Sequence, residues 1–121
     1  MSKKWVAVIP SGNEVIPTIQ ELKKMGYHVA GIDQNKNAPA FEFCDMQIVS
    51  SLNDYESILY FLKTKNISPE CFIPIVSDKA VLPAYILNTL IGKGKINENI
   101  LAYYIYGEDL VGYTLNLVTV I

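Results

Sequence analysis

The chain reads Ala7-Val8-Ile9-Pro10-Ser11-Gly12-Asn13-Glu14-Val15-Ile16-Pro17 close to its start. This run predicts a buried strand, then a tight polar turn, then the first turn of a helix, which is the opening of a mononucleotide-binding βα unit. In an open parallel α/β sheet, ligands bind in the crevice outside the carboxyl ends of the strands. We therefore expect the turn Ser11-Gly12-Asn13 to lie at a ligand-binding edge.

Four short apolar segments predict the strands of this sheet, at residues 5–9, 27–32, 46–49 and 71–76. Such runs are too short to be helices and suit strands that are buried on both faces. A proline inside a strand usually marks an edge or a bulge. Pro74 therefore indicates an edge or a bulge in the fourth strand.

A first helix is predicted for residues 13–25. Asn13 has the right chemistry to cap its start, and Gly26 is the expected stop. Apolar residues recur on one face of this helix, at the i, i+4 and i+7 spacing: Val15, Ile19 and Leu22.

The clearest helix is predicted for residues 53–65. Asn53 and Glu56 have the spacing of a capping box, and Asn66 is expected to end the helix. The residues predicted to form its apolar face follow the helical period: Tyr55, Ile58, Leu59 and Leu62.

A third long helix is expected to run to about residue 91. Ser77 and Asp78 can cap its start, and Pro83 either kinks it or defines its true first turn. A single helical turn is expected at residues 40–44.

The alternation of strand and helix predicts an α/β fold with a three-layer, Rossmann-like open parallel sheet of about four strands and flanking helices. We assign residues 1–95 to this domain. Residues 96–121 form a divergent tail rich in Ile, Leu, Asn and Tyr. In the tail we expect a helix over residues 97–106 and an extra strand over 113–121 that docks on the sheet.

The composition excludes several classes of function. The chain has 121 residues, 18% of them charged, and a net charge of −2 with no basic block. Nucleic-acid binding through a phosphate-neutralising patch therefore has little support. No apolar run approaches the length of a membrane span, and the N-terminus lacks the features of a signal peptide. We expect a cytoplasmic protein that binds neither nucleic acid nor membrane.

The cysteine and histidine content gives no sign of a metal site. Cys44 and Cys71 are far apart in sequence, and His28 is the single histidine. A zinc site of the usual ligand types is therefore not expected, and we interpret the cysteines as two reduced, half-buried thiols. His28 has no cysteine or carboxylate close to it in sequence, which favours a structural histidine at a strand edge.

The first turn admits two interpretations. Ser11, Gly12 and Asn13 would offer backbone N–H groups at a helix start, which suits an anion. The alternative is a plain strand-to-helix turn with a capping asparagine. The carboxylate of Glu14 would repel a phosphate and would suit an amine or a hydroxyl group.

Asp33 stands 21 positions after Gly12, where a dinucleotide-binding Rossmann protein keeps its ribose-binding acid. However, Glu14 and Pro17 replace the glycines of the dinucleotide fingerprint, so NAD is not expected. Asp33 and Asn35 fit a ligand role and a turn role about equally. The turn role is open to them because both residue types form hydrogen bonds with their own backbone.

Three blocks of the chain carry a family resemblance: Ile9-Pro10-Ser11-Gly12-Asn13-Glu14, then Gly31-Ile32-Asp33 with Asn37-Ala38-Pro39-Ala40, then Val76-Ser77-Asp78-Lys79-Ala80-Val81. Together, over residues 4–92, they resemble the N-terminal preATP-grasp domain of ATP-grasp enzymes. The carbamoyl-phosphate-synthase-like ligases and the ATP-dependent glycinamide ribonucleotide transformylases are the nearest in pattern.

The resemblance implies a ligase that activates a carboxylate as an acyl phosphate with ATP and Mg²⁺ and joins it to an amine or another nucleophile. In that family the first domain supplies one wall of the cleft, mostly to a small-molecule acceptor substrate, and does not bind ATP by itself. The resemblance assigns no catalytic residue and no metal ligand to this chain. It implies the following substrate-binding residues: Ser11, Gly12, Asn13, Glu14, Asp33, Asn35, Ser77 and Asp78.

The chain departs from the family after this domain. The glycine-rich loop, the nucleotide-binding lysines and the acidic metal ligands of the ATP-grasp domain are not in the sequence. We therefore expect ATP and Mg²⁺ to act only in a full-length enzyme, and this chain to be inactive alone as an excised domain, a truncated product or a frameshifted end. The alternatives are a stand-alone module that binds a small nucleotide or sugar phosphate, and an assembly role in which the tail pairs with a partner chain, for instance in a homodimer.

Overall fold

The computed structural model of the chain describes residues 4–75 and 78–91. Ser77 and the tail predicted at residues 96–121 lie outside the described residues. Four strands are present among them: β1 (Trp5–Ile9), β2 (His28–Asp33), β3 (Met46–Val49) and β4 (Phe72–Pro74). Three α-helices accompany them: α1 (Ile16–Lys24), α2 (Tyr55–Thr64) and α3 (Asp78–Ile91). Two short 3₁₀ helices cover Asn13–Val15 and Pro39–Phe43.

The strands form one parallel sheet in the order β3-β2-β1-β4. This order puts β1 in the interior, and its residues 6–9 are fully buried. Pro74 lies on an edge strand of the described sheet, as its missing N–H requires. The predicted α/β fold with a parallel sheet is confirmed.

Helices cover both faces of the sheet. Val6 and Val8 of β1 point to one face and pack with residues of α1. Ala7 and Ile9 point to the other face and pack with residues of α2 and α3. Each large aliphatic side chain that is buried here contributes about 1.5–3 kcal/mol. The three-layer arrangement follows from this alternation, because successive strand residues point to opposite faces.

The strand bounds differ slightly from those predicted. β2 extends to Asp33, whose carbonyl accepts a hydrogen bond from the N–H of Ser50 at 3.0 Å. β4 is shorter than residues 71–76 and ends at Pro74. The single helical turn predicted at residues 40–44 is present as the second 3₁₀ helix.

The caps predicted for α1 and α2 are wrong. Asn13 lies in the 3₁₀ turn that precedes α1, and α1 has no side-chain cap. Helix α2 is capped by Asp54, whose Oδ1 accepts from the N–H of Ser57 at 3.2 Å, instead of by Asn53. Asn and Asp cap helices equally well. The sequence Asn53-Asp54 therefore does not show which of the two residues forms the cap.

The predicted helix stops are confirmed. Gly26 has a φ of +95° and follows α1, and Asn66 has a φ of 57° and follows α2. Glycine and asparagine adopt this left-handed conformation at the lowest cost. Helix α3 spans the predicted range and contains Pro83.

A buried asparagine ties α3 to β4. The side-chain Oδ1 of Asn88 accepts from the N–H of Phe72 at 2.8 Å, and its Nδ2 donates to the carbonyl of Phe72 at 3.0 Å. Asn88 is 1% exposed. The amide therefore pairs with β4 much as a neighbouring strand would.

Candidate functional site

An open cleft of about 300 Å³ lies at the carboxyl ends of the strands. The cleft therefore lies at the edge of the sheet where the sequence predicts ligand binding. The lining comes from segments that follow β1, β2 and β3 and from the first turn of α3: Pro10, Asp33, Gln34, Ser51, Leu52, Asn53 and Lys79.

Ser11 follows the cleft residue Pro10 and is held by hydrogen bonds, but it does not itself line the cleft. Its N–H donates to Oδ2 of Asp33 at 3.0 Å, and its hydroxyl donates to the carbonyl of Ile32 at 3.3 Å. Its own carbonyl accepts from the N–H of Ala40 at 3.0 Å. The side chain is fully buried, so Ser11 contributes to the site through the position of its backbone.

Asp33 joins the loops after β1, β2 and β3. Its Oδ2 holds Ser11, and its Oδ1 accepts from the N–H of Asn35 at 2.9 Å. Its backbone carbonyl holds Ser50. The turn role of Asp33 is thus confirmed, while its side chain also lines the cleft. Its role as a ligand stays a prediction.

The absence of a side chain at Gly31 lets Ser11 and Cys44 lie close to β2. A Cβ atom on Gly31 would lie 2.6 Å from Sγ of Cys44 and 2.8 Å from Oγ of Ser11. Those distances are shorter than any ordinary van der Waals contact. A side chain larger than that of glycine would therefore force Cys44 or Ser11 to move.

Cys44 is a structural thiol. Its Sγ donates to the carbonyl of Ala40 at 3.3 Å, and burial, helped by the charge of Asp45, raises the pKa of the thiol to about 12. A group with that pKa is protonated near neutral pH and is a poor nucleophile. Cys44 and Cys71 form no disulfide bond; Cys44 is half-buried, as predicted, whereas Cys71 is buried.

In the turn after β1, Asn13 and Glu14 are exposed and Gly12 is half-buried; these three residues are not among those that line the cleft. The carboxylate of Glu14 folds over Gly12, where a Cβ atom would lie 2.5 Å from Oε2 of Glu14. The first N–H groups of a helix lack partners within the helix, and here a negative charge stands beside them. This geometry opposes a phosphate and favours an amine or hydroxyl donor. Binding by these three residues stays a prediction.

Asn35 makes a local turn. Its Oδ1 accepts from the N–H of Asn37 at 2.9 Å, and its side chain is exposed. Asn35 does not line the cleft. Of the pair predicted after β4, Asp78 begins α3, and Ser77 lies outside the described residues.

Sequence reasoning missed the residues that β3 and α3 contribute. Ser51 and Asn53 follow β3, and the N–H of Asn53 lies 3.4 Å from Oγ of Ser51. The same rule that selected the loops after the other strands would have found them. Lys79 is exposed and brings a positive charge to the cleft.

The opposite end of the sheet holds a separate polar cluster. Oδ2 of Asp45 accepts from the N–H of Val29 at 2.8 Å and lies 3.7 Å from Nδ1 of His28. Nζ of Lys23 lies 3.8 Å from Oδ1 of the same carboxylate, and the His28 ring packs on Trp5. Only the fold brings a carboxylate to His28, and the contacts fit the structural role predicted for it.

The described residues contain neither a cluster of metal ligands nor a membrane-spanning helix. Within residues 4–75 and 78–91, no three or more His, Cys, Asp or Glu side chains are grouped so that they could hold a metal ion. In the same ranges, no helix is both long enough and apolar enough to cross a membrane.

Comparison with known proteins points to one group of ligases. No protein-family model matches the chain. The chain is 29% identical over 72 residues to a formate-dependent phosphoribosylglycinamide formyltransferase of Prochlorococcus marinus (strain MIT 9515), which is 60% of this chain and 18% of that protein.

Solved structures agree. An N5-carboxyaminoimidazole ribonucleotide synthetase from Thermotoga maritima matches with a TM-score of 0.57 and 25% identity, over 72% of this chain and 23% of that one. A phosphoribosylglycinamide synthetase from Anaerococcus prevotii matches in fold, with a TM-score of 0.60 and 13% identity over 73% of this chain and 22% of that one. The chain thus spans less than a quarter of the length of these proteins. The resemblance drawn from the three sequence blocks is confirmed.

Proposed function

We propose, from the similarity of this chain to ATP-grasp ligases, that its α/β domain forms the acceptor-substrate wall of a carboxylate–amine ligase. The observation that carries the proposal is the position of Asp33, which holds together the loops after three strands at the carboxyl edge of the sheet. Such preorganised loops are the usual ligand-binding elements of an open parallel sheet. We expect the protein to act in the cytoplasm.

We propose that the acceptor is an amine-bearing phosphoribosyl compound. The names of the matched proteins refer to phosphoribosylglycinamide and to a carboxyaminoimidazole ribonucleotide. Two charged side chains suit the two ends of such a molecule. Lys79 in the cleft supplies a cation for a phosphate, and the exposed carboxylate of Glu14, in the turn after β1 and outside the cleft lining, can accept hydrogen bonds from an amine.

We further propose that ATP and Mg²⁺ act only with the rest of such a ligase and that this chain alone catalyses no ligation. One fact supports this: the chain spans 18% of its curated relative. The stand-alone binding module is not carried forward, because the curated relative is a formyltransferase and the two solved structures named above are synthetases.

Calorimetric titration of the full chain with phosphoribosylglycinamide tests the proposal. We expect binding that weakens about tenfold or more in Lys79→Gln, because a hydrogen bond to a charged group contributes about 1.5–3 kcal/mol. The matched control is Lys63→Gln, an exposed lysine on α2. No heat of binding, or equal loss in both variants, would contradict the acceptor site. Separately, Mg²⁺-dependent ATP hydrolysis by the pure chain would contradict its inactivity alone.

A further inference from the structure

A second groove lies between the end of α2, the loop after it and the end of α3. It is open, with a volume of about 320 Å³. Its apolar floor includes Leu59, Leu62 and Ile67, and the last residue of α3, Ile91, forms one side. The exposed side chain of Lys63 stands on its rim. An apolar floor with a basic rim suits an apolar segment that carries negative charge.

The edge of β4 does not offer an alternative docking place over Phe72–Pro74. Residues 71 and 75 bond to β1, so the alternation of a strand turns the backbone groups of Phe72 and Pro74 outward. Asn88 occupies both groups of Phe72, and Pro74 has no N–H. A strand added along these three residues would find no backbone donor.

We infer that the groove beside Ile91 is the docking site for this chain's own residues 96–121. More than half of those residues are aliphatic or aromatic, and their charged residues are Glu98, Glu108 and Asp109, all acidic. This composition complements the apolar floor and the charge of Lys63. The chain therefore carries, in the same molecule, a segment of the chemistry that the groove accepts.

Tethering favours this occupant over a separate chain. Ile91 lines the groove itself, and Ile96 is five residues further on, at most about 17 Å away when extended. A segment attached by so short a linker has an effective concentration in the millimolar range. A second copy of the chain at micromolar concentration competes poorly with it. This inference is independent of the function proposed for the cleft at the other end of the sheet.

Photo-cross-linking in the full chain tests the inference. p-Benzoylphenylalanine replaces Lys63 at the groove, and in the matched control it replaces Gln20, an exposed residue of α1 on the other face of the sheet. We expect monomer-sized products from position 63 that mass spectrometry maps to residues 96–121, at roughly ten times the control yield or more. Dimer-sized products would assign the groove to a second copy and overturn the inference, as would the absence of cross-links to residues 96–121.

Hydrogen exchange of the full chain gives a second measurement. Replacing Ile100 and Leu101 by serine removes apolar contact from the docking segment without adding negative charge that Lys63 would attract. We expect the backbone amides of residues 65–68 to exchange several-fold faster in this variant, while those of α1 keep their rate. Equal exchange at residues 65–68 in both proteins would overturn the inference, and the α1 amides report whether the domain stays folded.

Discussion

The backbone N–H of Ser11 donates to the carboxylate of Asp33 across 3.0 Å, and this bond joins the loops that follow two adjacent strands of the sheet. The other oxygen of Asp33 holds Asn35. One side chain thus fixes the shape of the carboxyl edge before any ligand arrives. Asp33 is a positioning residue in this arrangement, whatever further contact it makes with a ligand.

Replacing Asp33 is expected to destabilise the fold. Asp33→Ala removes two hydrogen bonds from backbone N–H groups to a charged oxygen, so we expect a loss of about 2 kcal/mol in the free energy of unfolding, given partial exposure. Asp33→Asn keeps one acceptor and is expected to lose less. Urea unfolding measures both, with Glu56→Gln on the exposed surface of α2 as a control. Equal stability of Asp33→Ala and the control would contradict the positioning role.

Gly31→Ala is expected to cost about 1–3 kcal/mol through overpacking, because its Cβ would lie 2.6 Å from Sγ of Cys44. Adding Cys44→Ala removes the sulfur and should restore part of the loss, which a double-mutant cycle measures. Gly26→Ala is the contrasting variant. Gly26 has open space around it but a φ of +95°, so its cost of about 1 kcal/mol should be independent of Cys44. Additive effects of Gly31→Ala and Cys44→Ala would show that the sulfur contact is not the cause.

We expect the free energy of unfolding to depend on pH because of the Cys44 thiol. Burial raises its pKa from the ordinary 9.0 to about 12, so the folded state holds the proton more tightly than the unfolded state does. The resulting stability is complete below pH 9 and is lost as the pH rises toward 12. Unfolding in urea across this range should show a steeper decline in the native chain than in Cys44→Ala. If stability fell equally with pH in both proteins, the Cys44 thiol would not be the cause of the decline.

Among substitutions in α3, we expect a change at the buried amide of Asn88 to cause the largest loss of stability. Asn88→Leu leaves the N–H and carbonyl of Phe72 without their partner in a buried position, at an expected cost of about 2–4 kcal/mol. Leu90→Ala, on the exposed side of the same helix, should change stability by less than about 0.5 kcal/mol. Thermal unfolding of the two variants makes the comparison. A cost of Asn88→Leu no larger than that of Leu90→Ala would refute the role of the amide.

Local patterns in the chain were sufficient to predict the order of strands and helices, and the stops at Gly26 and Asn66. The physical reason is that these features depend on near neighbours in sequence: the apolar period of a strand or helix, and the left-handed backbone that glycine and asparagine tolerate. The face formed by Val15, Ile19 and Leu22 was predicted on the same basis, and all three side chains are buried. Where two adjacent residues offer the same local chemistry, as Asn53 and Asp54 do, the sequence does not choose the cap.

The contacts between distant residues came from the folded chain. The bonds of Ser11 to Asp33, of Asn88 to Phe72 and of Asp45 to Val29 each join residues more than fifteen positions apart. No local period encodes such a pair, because its geometry depends on which strands are neighbours in the sheet and on their register. Sequence therefore placed the site at the carboxyl edge after Ile9. In the folded sheet, the N–H of Ser11 is bound by the carboxylate of Asp33. The fold also brings Ser51 and Lys79 to the cleft that Asp33 lines.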